Sequence, residues 1–147
     1  RSRRQRQMCI RDRIMADQSC VKILTEWDIV AARQLGRNVA KELGFGTVDQ
    51  ARITTAISEL ARNIYLYAGK GSICIEQVQE EGKKGLKIVA EDEGPGIADI
   101  KKVMEDGFST SGGLGAGLPG VKRLMDQFEL NSDAENGTDI QAIKWLR

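Results

Sequence analysis

DEGPGIADIKKVMEDGFSTSGGLGAGLPG, residues 92–120, holds eight of the chain's 16 glycines. Two clusters, Asp92 to Gly96 and Gly112 to Gly120, bracket a helix-like piece and the polar run Phe108-Ser109-Thr110-Ser111. Glycine lets backbone approach closely, at a cost in folding entropy. A chain that concentrates that cost in one stretch is expected to hold something there. Phosphate suits the second cluster, because a helix should open at Leu118 and run to Phe128 with Pro119 in its first turn. The stretch also rules out two folds. A dinucleotide fingerprint needs a strand directly before its glycines and a βαβ unit after them. Here a polar run precedes Gly112, and too little chain follows Gly120. A P-loop fails for want of a Gly-Lys-Ser/Thr sequence.

Working outward, Gly85 to Glu91 (GLKIVAE) reads as the strand that delivers Asp92. Ser72 to Val78 reads as its hairpin partner, turned at Glu80 to Lys84. Before them, Asp28 to Leu43 has apolar residues at helical spacing and ends at Gly44, a C-cap. Thr47 should cap a second helix, with Gln50 as its capping-box partner. Its apolar face runs to Tyr67, and Gly69-Lys70-Gly71 ends it. Ser19 to Thr25 alternates as a strand. Glu129 to Ser132 and Thr138 to Trp145 form a closing strand pair joined at Asn136-Gly137. Two hairpin-like pairs favour a mixed, largely antiparallel sheet with helices on one face, an α/β two-layer sandwich.

The length, 147 residues, favours one domain with a core of its own. Mean hydropathy is −0.34 and no apolar run reaches the ~20 residues of a membrane span. Histidine is absent, which excludes a Ser-His-Asp triad, a histidine metal site and a phospho-accepting histidine among these residues. Cys9, Cys20 and Cys74 lack zinc spacing; Cys20 and Cys74 are expected as free, buried core thiols in a reducing cytoplasm. Residues 1–14 hold six arginines against one aspartate, so without them the net charge of +1 becomes −4. That tail is expected to be disordered or non-native, leaving 15–147 as the domain. The domain shows no basic stripe for nucleic acid.

Four constellations offer chemistry, and each has an ordinary reading beside it. Glu59 and Asn63, four apart, stack on one helix face, where a general base and a magnesium ligand would stand together; a solvated polar face is the plain alternative. Asp92, at a strand end before Gly94 and Gly96, can accept a hydrogen bond from an exocyclic amine such as that of adenine, or can simply open a surface turn. The Gly112–Gly120 run can hold phosphate or be a linker. Asn136-Gly137-Thr138 is a turn before the last strand.

Taken in order, E-x-x-x-N, D-x-G-x-G, a glycine-rich lid into a helix and G-T before the final strand resemble the nucleotide site of the GHKL (Bergerat-fold) ATPases and kinases, over roughly residues 19–147. Within them the chain resembles the small serine kinases of bacterial partner-switching modules. Ile64 and Tyr67 stand where anti-sigma kinases usually carry Ala and His, which favours the switch-kinase branch. The resemblance implies ATP and Mg²⁺ as cofactors. It gives Asp92, Gly94, Gly96 and Thr138 to adenine, Asn63 to Mg²⁺, Gly113, Gly115 and Gly117 to phosphate, and Glu59 to catalysis. Residues 97–112 would form a lid. The implied partners are STAS-domain substrates in a stressosome-like complex and a PP2C-type phosphatase, in the cytoplasm, with no nucleic acid or membrane. The alternative is a nucleotide-gated binding switch or anti-sigma factor with little catalytic role.

Overall fold

Ile23, Ile73, Ile75, Leu86, Ile88, Ala90, Ile140 and Ala142 are buried at alternate positions of four strands, so one face of a sheet carries the core. The computed structural model describes residues 18–92, 117–133 and 137–147. Its strands are β1 (Gln18–Ile23), β2 (Gly71–Glu80), β3 (Lys83–Asp92), β4 (Gln127–Asp133) and β5 (Gly137–Trp145). They lie in the order β1-β2-β3-β5-β4. The expected antiparallel character holds at all four pairings. Helices α1 (Glu26–Leu43), α2 (Thr47–Asn63) and α3 (Gly117–Leu124) cover the apolar face. The tail and residues 93–116, with the expected lid and Gly94, Gly96, Gly113 and Gly115, lie outside the described residues.

Local chemistry explains most boundaries. Gly44 adopts φ 101° and its N–H reaches Ala40 O and Lys41 O, closing α1 as expected. The start of α1 comes earlier than the apolar pattern suggests. Leu24 N and Thr25 N both donate to Asp28 Oδ2 at 2.9 Å, so Thr25 becomes the N-cap. Those backbone donors hold the Asp28 carboxyl below its usual range. The β2–β3 hairpin turns on Glu81 (φ 52°) and Gly82 (φ 80°), a two-residue loop with both central residues left-handed.

Three expectations give way. Thr47 is the first residue of α2 and Gly46 its N-cap; Gln50 Nε2 donates instead to Phe45 O at 2.8 Å. That bond fixes the carbonyl of buried Phe45, whose ring needs a settled entry into the core. The helix expected to reach Phe128 stops at Leu124. Asp126 N donates to Ile143 O, while its carboxylate accepts from Trp145 N and Arg147 Nη2 at 2.8 Å each. Strand β5 thus captures the chain, and Phe128 pairs with Ala142 in β4. Finally, Cys20 and Cys74 are not free core thiols. They are register partners across β1 and β2 and form a disulfide. Both sit on the sheet face opposite Ile23, Ile73 and Ile75, because side chains alternate along a strand.

Helix α2 is the most firmly seated element. Ile53, Ile57 and Leu60 are at most 1% exposed. Each contributes roughly 1.5–3 kcal/mol over an exposed position. Gly36 of α1 lies against Ile57, and a side chain there would collide with it. The two helices therefore approach closely, which holds the far turn of α2 in place over the sheet.

Candidate functional site

The last turn of α2 carries Glu59, Arg62 and Asn63. Glu59 is only 2% exposed, although its side chain ends in a carboxyl group. Its Oε1 lies 3.4 Å from Arg62 Nη1, three residues on and on the same helix face. A buried carboxylate is costly unless charge and hydrogen bonds support it. Asn63 is half-buried and ends the helix. The i, i+4 spacing stacks it one turn beyond Glu59, as the sequence predicts.

Beyond Asn63 the chain does not continue as α-helix. Ile64–Ala68 forms a single π-helical turn, closed by Gly69 N donating to Ile64 O at 2.9 Å. Single π turns inside or at the end of α-helices are frequent at functional sites. This one has two effects. It buries Ile64 while leaving Leu66 and Tyr67 exposed. It also delivers the chain to Gly71, the first residue of β2.

Gly71 is where the elements converge. It is the register partner of Asp92 at the end of β3. A Cβ placed on it would meet the backbone oxygen of Glu91, Ile64 Cγ2 at 2.8 Å and Asp92 Cβ at 3.0 Å. Only a residue without a side chain lets the π turn press against the end of β3. The turn that follows Asn63 is thereby packed beside Asp92. The sequence shows Gly71 only as a helix terminator; its second role depends on pairing with a strand far along the chain.

On its other side, Asp92 pairs with Thr138 of β5. Thr138 is buried, and its Oγ1 lies 3.0 Å from Ser132 Oγ of β4. The structure therefore brings Asp92 and Thr138 side by side, as expected, and adds Ser132, which no motif marks. The hydroxyl pair fixes the Thr138 rotamer. Gly117, the first described residue after the interval, has φ 72° and leads into α3. Leu118 and Val121 anchor that helix in the core. Lys144 Nζ secures its far end by donating to Leu124 O at 3.1 Å.

One end of the sheet thus gathers a half-buried carboxylate (Asp92), a hydroxyl pair of buried Thr138 and half-buried Ser132, a glycine-led helix start and the Glu59–Asn63 turn. Asp92 can accept from an exocyclic amine while Thr138 braces its neighbourhood. Among the described residues, no cluster of three or more aspartates, glutamates or cysteines could hold a metal by itself. A magnesium here would rest on the Asn63 amide oxygen together with phosphates. That donor set fits the ion's habit of taking one or two protein oxygens and completing its shell with phosphate and water. A groove lined by Thr47, Val48, Ala51, Arg52 and Leu124 lies at the opposite end of α2, away from these residues. No helix among the described residues is long and apolar enough to cross a membrane.

Comparison with known proteins agrees with this geometry. The serine/threonine-protein kinase RsbT of Bacillus subtilis strain 168 is 86% identical over 133 residues, covering 90% of this chain and 100% of the relative. The anti-sigma F factor of Bacillus licheniformis is 31% identical over 108 residues, covering 68% of this chain and 73% of the relative. The solved structure of the RsbU and RsbW domains of Rv1364c from Mycobacterium tuberculosis superposes with a TM-score of 0.52 at 18% identity. That match covers 88% of this chain and 32% of the other, and speaks for the fold alone. Residues 48–146 match the family described as histidine kinase-, DNA gyrase B- and HSP90-like ATPases, and with them α2, the sheet from β2 to β5 and α3 are accounted for: this chain belongs to that family.

Proposed function

We infer that this chain is an ATP-dependent serine/threonine-protein kinase of a partner-switching module, and that its chemistry is done at the sheet end where Asp92, Thr138 and the Glu59–Asn63 turn converge. Two lines support this. Near-full-length similarity to a serine/threonine-protein kinase gives the reaction class. The observation that carries the site is the convergence on Gly71, whose contacts join the π turn after Asn63 to Asp92.

In this reading Asp92 accepts a hydrogen bond from the adenine amine, and Thr138, held by Ser132, braces it. Guanine presents a carbonyl at that position and would be repelled, so a carboxylate there selects adenine. Gly94 and Gly96 admit the base, and Gly113, Gly115 and Gly117 offer backbone donors to the phosphates at the start of α3. Asn63 would hold Mg²⁺, which when bound would neutralise phosphate charge. Glu59 takes the proton from an incoming serine or threonine hydroxyl, help worth ~10²–10⁴-fold. The oxygen so freed attacks the γ-phosphorus in line, the bond to the β-phosphate oxygen breaks, and ADP leaves. Residues 97–112 are the segment proposed as the lid.

The acceptors proposed are STAS-domain antagonists or scaffolds, and release from them frees the kinase to bind and activate a PP2C-type phosphatase in the cytoplasm. The test is direct. Incubation with Mg-ATP and a candidate STAS-domain protein, followed by intact-mass measurement, should add one phosphate to the partner. Asp92→Asn should abolish both the added phosphate and ATP binding in titration calorimetry. Native affinity in that variant would remove adenine from Asp92.

A further inference from the structure

Arg62 is not part of any motif, and the site as described leaves it unused. It stands between the two functional positions in sequence, three residues after Glu59 and one before Asn63. Its guanidinium reaches Glu59 Oε1 at 3.4 Å. The two partners differ sharply in setting: Glu59 is 2% exposed, while the Arg62 side chain is 32% exposed. One end of the pair is locked in the packed interior of α2; the other reaches the surface.

We propose that Arg62 is a positioning residue for Glu59. It orients the buried carboxylate toward the acceptor hydroxyl and supplies the positive charge that keeps a buried anion tolerable. This rests on the reading of Glu59 as the general base. The spacing supports it, because residues three apart on a helix share a face. The choice of arginine supports it too. A guanidinium presents several donors in a fixed plane and stays charged throughout the working pH range, so it sets an orientation that a flexible ammonium sets less well. A general base must lie within hydrogen-bond reach of the proton it takes, and a misplacement of about 1 Å can cost ~10²-fold in rate. Arg62 also sits in the last turn of α2, where any cation favours the helix dipole. A dipole role alone would move the melting temperature and leave turnover untouched, so the two roles separate by experiment.

The experiment compares Arg62→Gln, Arg62→Lys and Glu59→Gln in the full chain, with Mg-ATP and a phosphorylatable STAS-domain protein. Melting temperature, ATP dissociation constant, kcat and KM for the protein substrate are measured for each. Arg62→Gln is expected to keep ATP affinity within about twofold and to lower kcat by ~10- to 100-fold. Arg62→Lys should recover part of that loss. In the Glu59→Gln background, Arg62→Gln should cost nothing further, because the group it positions is gone. Native kcat in Arg62→Gln, with Glu59→Gln impaired, would overturn the positioning role and leave the base intact. Native kcat in Glu59→Gln would overturn the base assignment and this role with it. Loss of ATP affinity in Arg62→Gln, with Glu59→Gln still binding, would make Arg62 a nucleotide contact and overturn the proposal.

Discussion

Gly71→Ala is the sharpest perturbation of the site's architecture, because it adds one methyl group where three elements meet. The added carbon would run into the Glu91 backbone oxygen, and would lie 2.8 Å from Ile64 Cγ2 and 3.0 Å from Asp92 Cβ. A side-chain tip can rotate away; a strand carbonyl in register cannot. Overpacking of this kind costs about 1–3 kcal/mol. Restricting the unfolded chain returns about 0.4–1 kcal/mol. A net loss of about 1–2 kcal/mol corresponds to a fall in Tm of roughly 2–8 °C for a chain of this size. The informative effect is on binding. The strain must relax by moving either the π turn or the end of β3, and both carry the site. ATP affinity should therefore fall ~10-fold or more, beyond what a general loss of stability explains. Gly36→Ala provides the comparison. Its new carbon meets Ile57 Cδ1, the end of a side chain in the α1–α2 contact. It should lower Tm by less, because that side-chain tip can rotate and alanine favours the helix, and it should leave ATP affinity alone. Differential scanning fluorimetry and titration calorimetry on the same samples decide the matter. Native ATP affinity in Gly71→Ala, or an equal loss in both variants, would refute the reasoning.

Two further outcomes follow from other parts of the fold. Asp28, whose carboxyl is held below its usual range by the Leu24 and Thr25 N–H groups, stabilises the start of α1 above an unfolded-state pKa of about 3.9. That contribution is lost as pH falls through the lower folded value, so the Tm gap between the native chain and Asp28→Ala should be open at pH 7 and close below about pH 4. The Cys20–Cys74 bridge closes a separation of 54 residues. Reduction, or Cys20→Ser, should cost up to about 4 kcal/mol in the chain-entropy view, seen as a lower urea midpoint; unchanged midpoints with and without reductant would show that the bridge contributes nothing.

What the sequence reveals divides along a physical line. Gly44, a hairpin turn within Glu80 to Lys84 (narrowed by the structure to Glu81 and Gly82) and the placing of Asp92 at a strand end are all written in neighbouring residues, and all hold. So does the pairing of Asp92 with Thr138, reached through resemblance rather than pattern. The end of α3 is not local. Residues up to Phe128 have helical spacing, but Asp126 is captured by the backbone of β5 and by the Arg147 side chain beyond it, contacts invisible without the fold. Gln50 has the spacing of a capping partner and instead bonds the Phe45 carbonyl, since a buried ring next to it needs that carbonyl fixed. The π turn leaves no period of its own within five residues. Gly71 and Ser132 join the site only through strand register, and a register is a relation between distant segments. Cys20 and Cys74 sit in alternating strands, which marks a face but not which face; a slip of one residue exchanges the two.

The seam between β3 and β5 has one more consequence, which concerns how such a chain can diverge. Asp92 and Thr138 are register partners, yet the chain travels through α3 and β4 between them. Both banks of the seam are fixed by the sheet, and α3 is moored in the core by Leu118 and Val121. Changes of length between Gly96 and Gly113 therefore leave the Asp92–Thr138 register pair where it stands. A lineage can change the length of that interval without renegotiating the sheet that pairs the two residues.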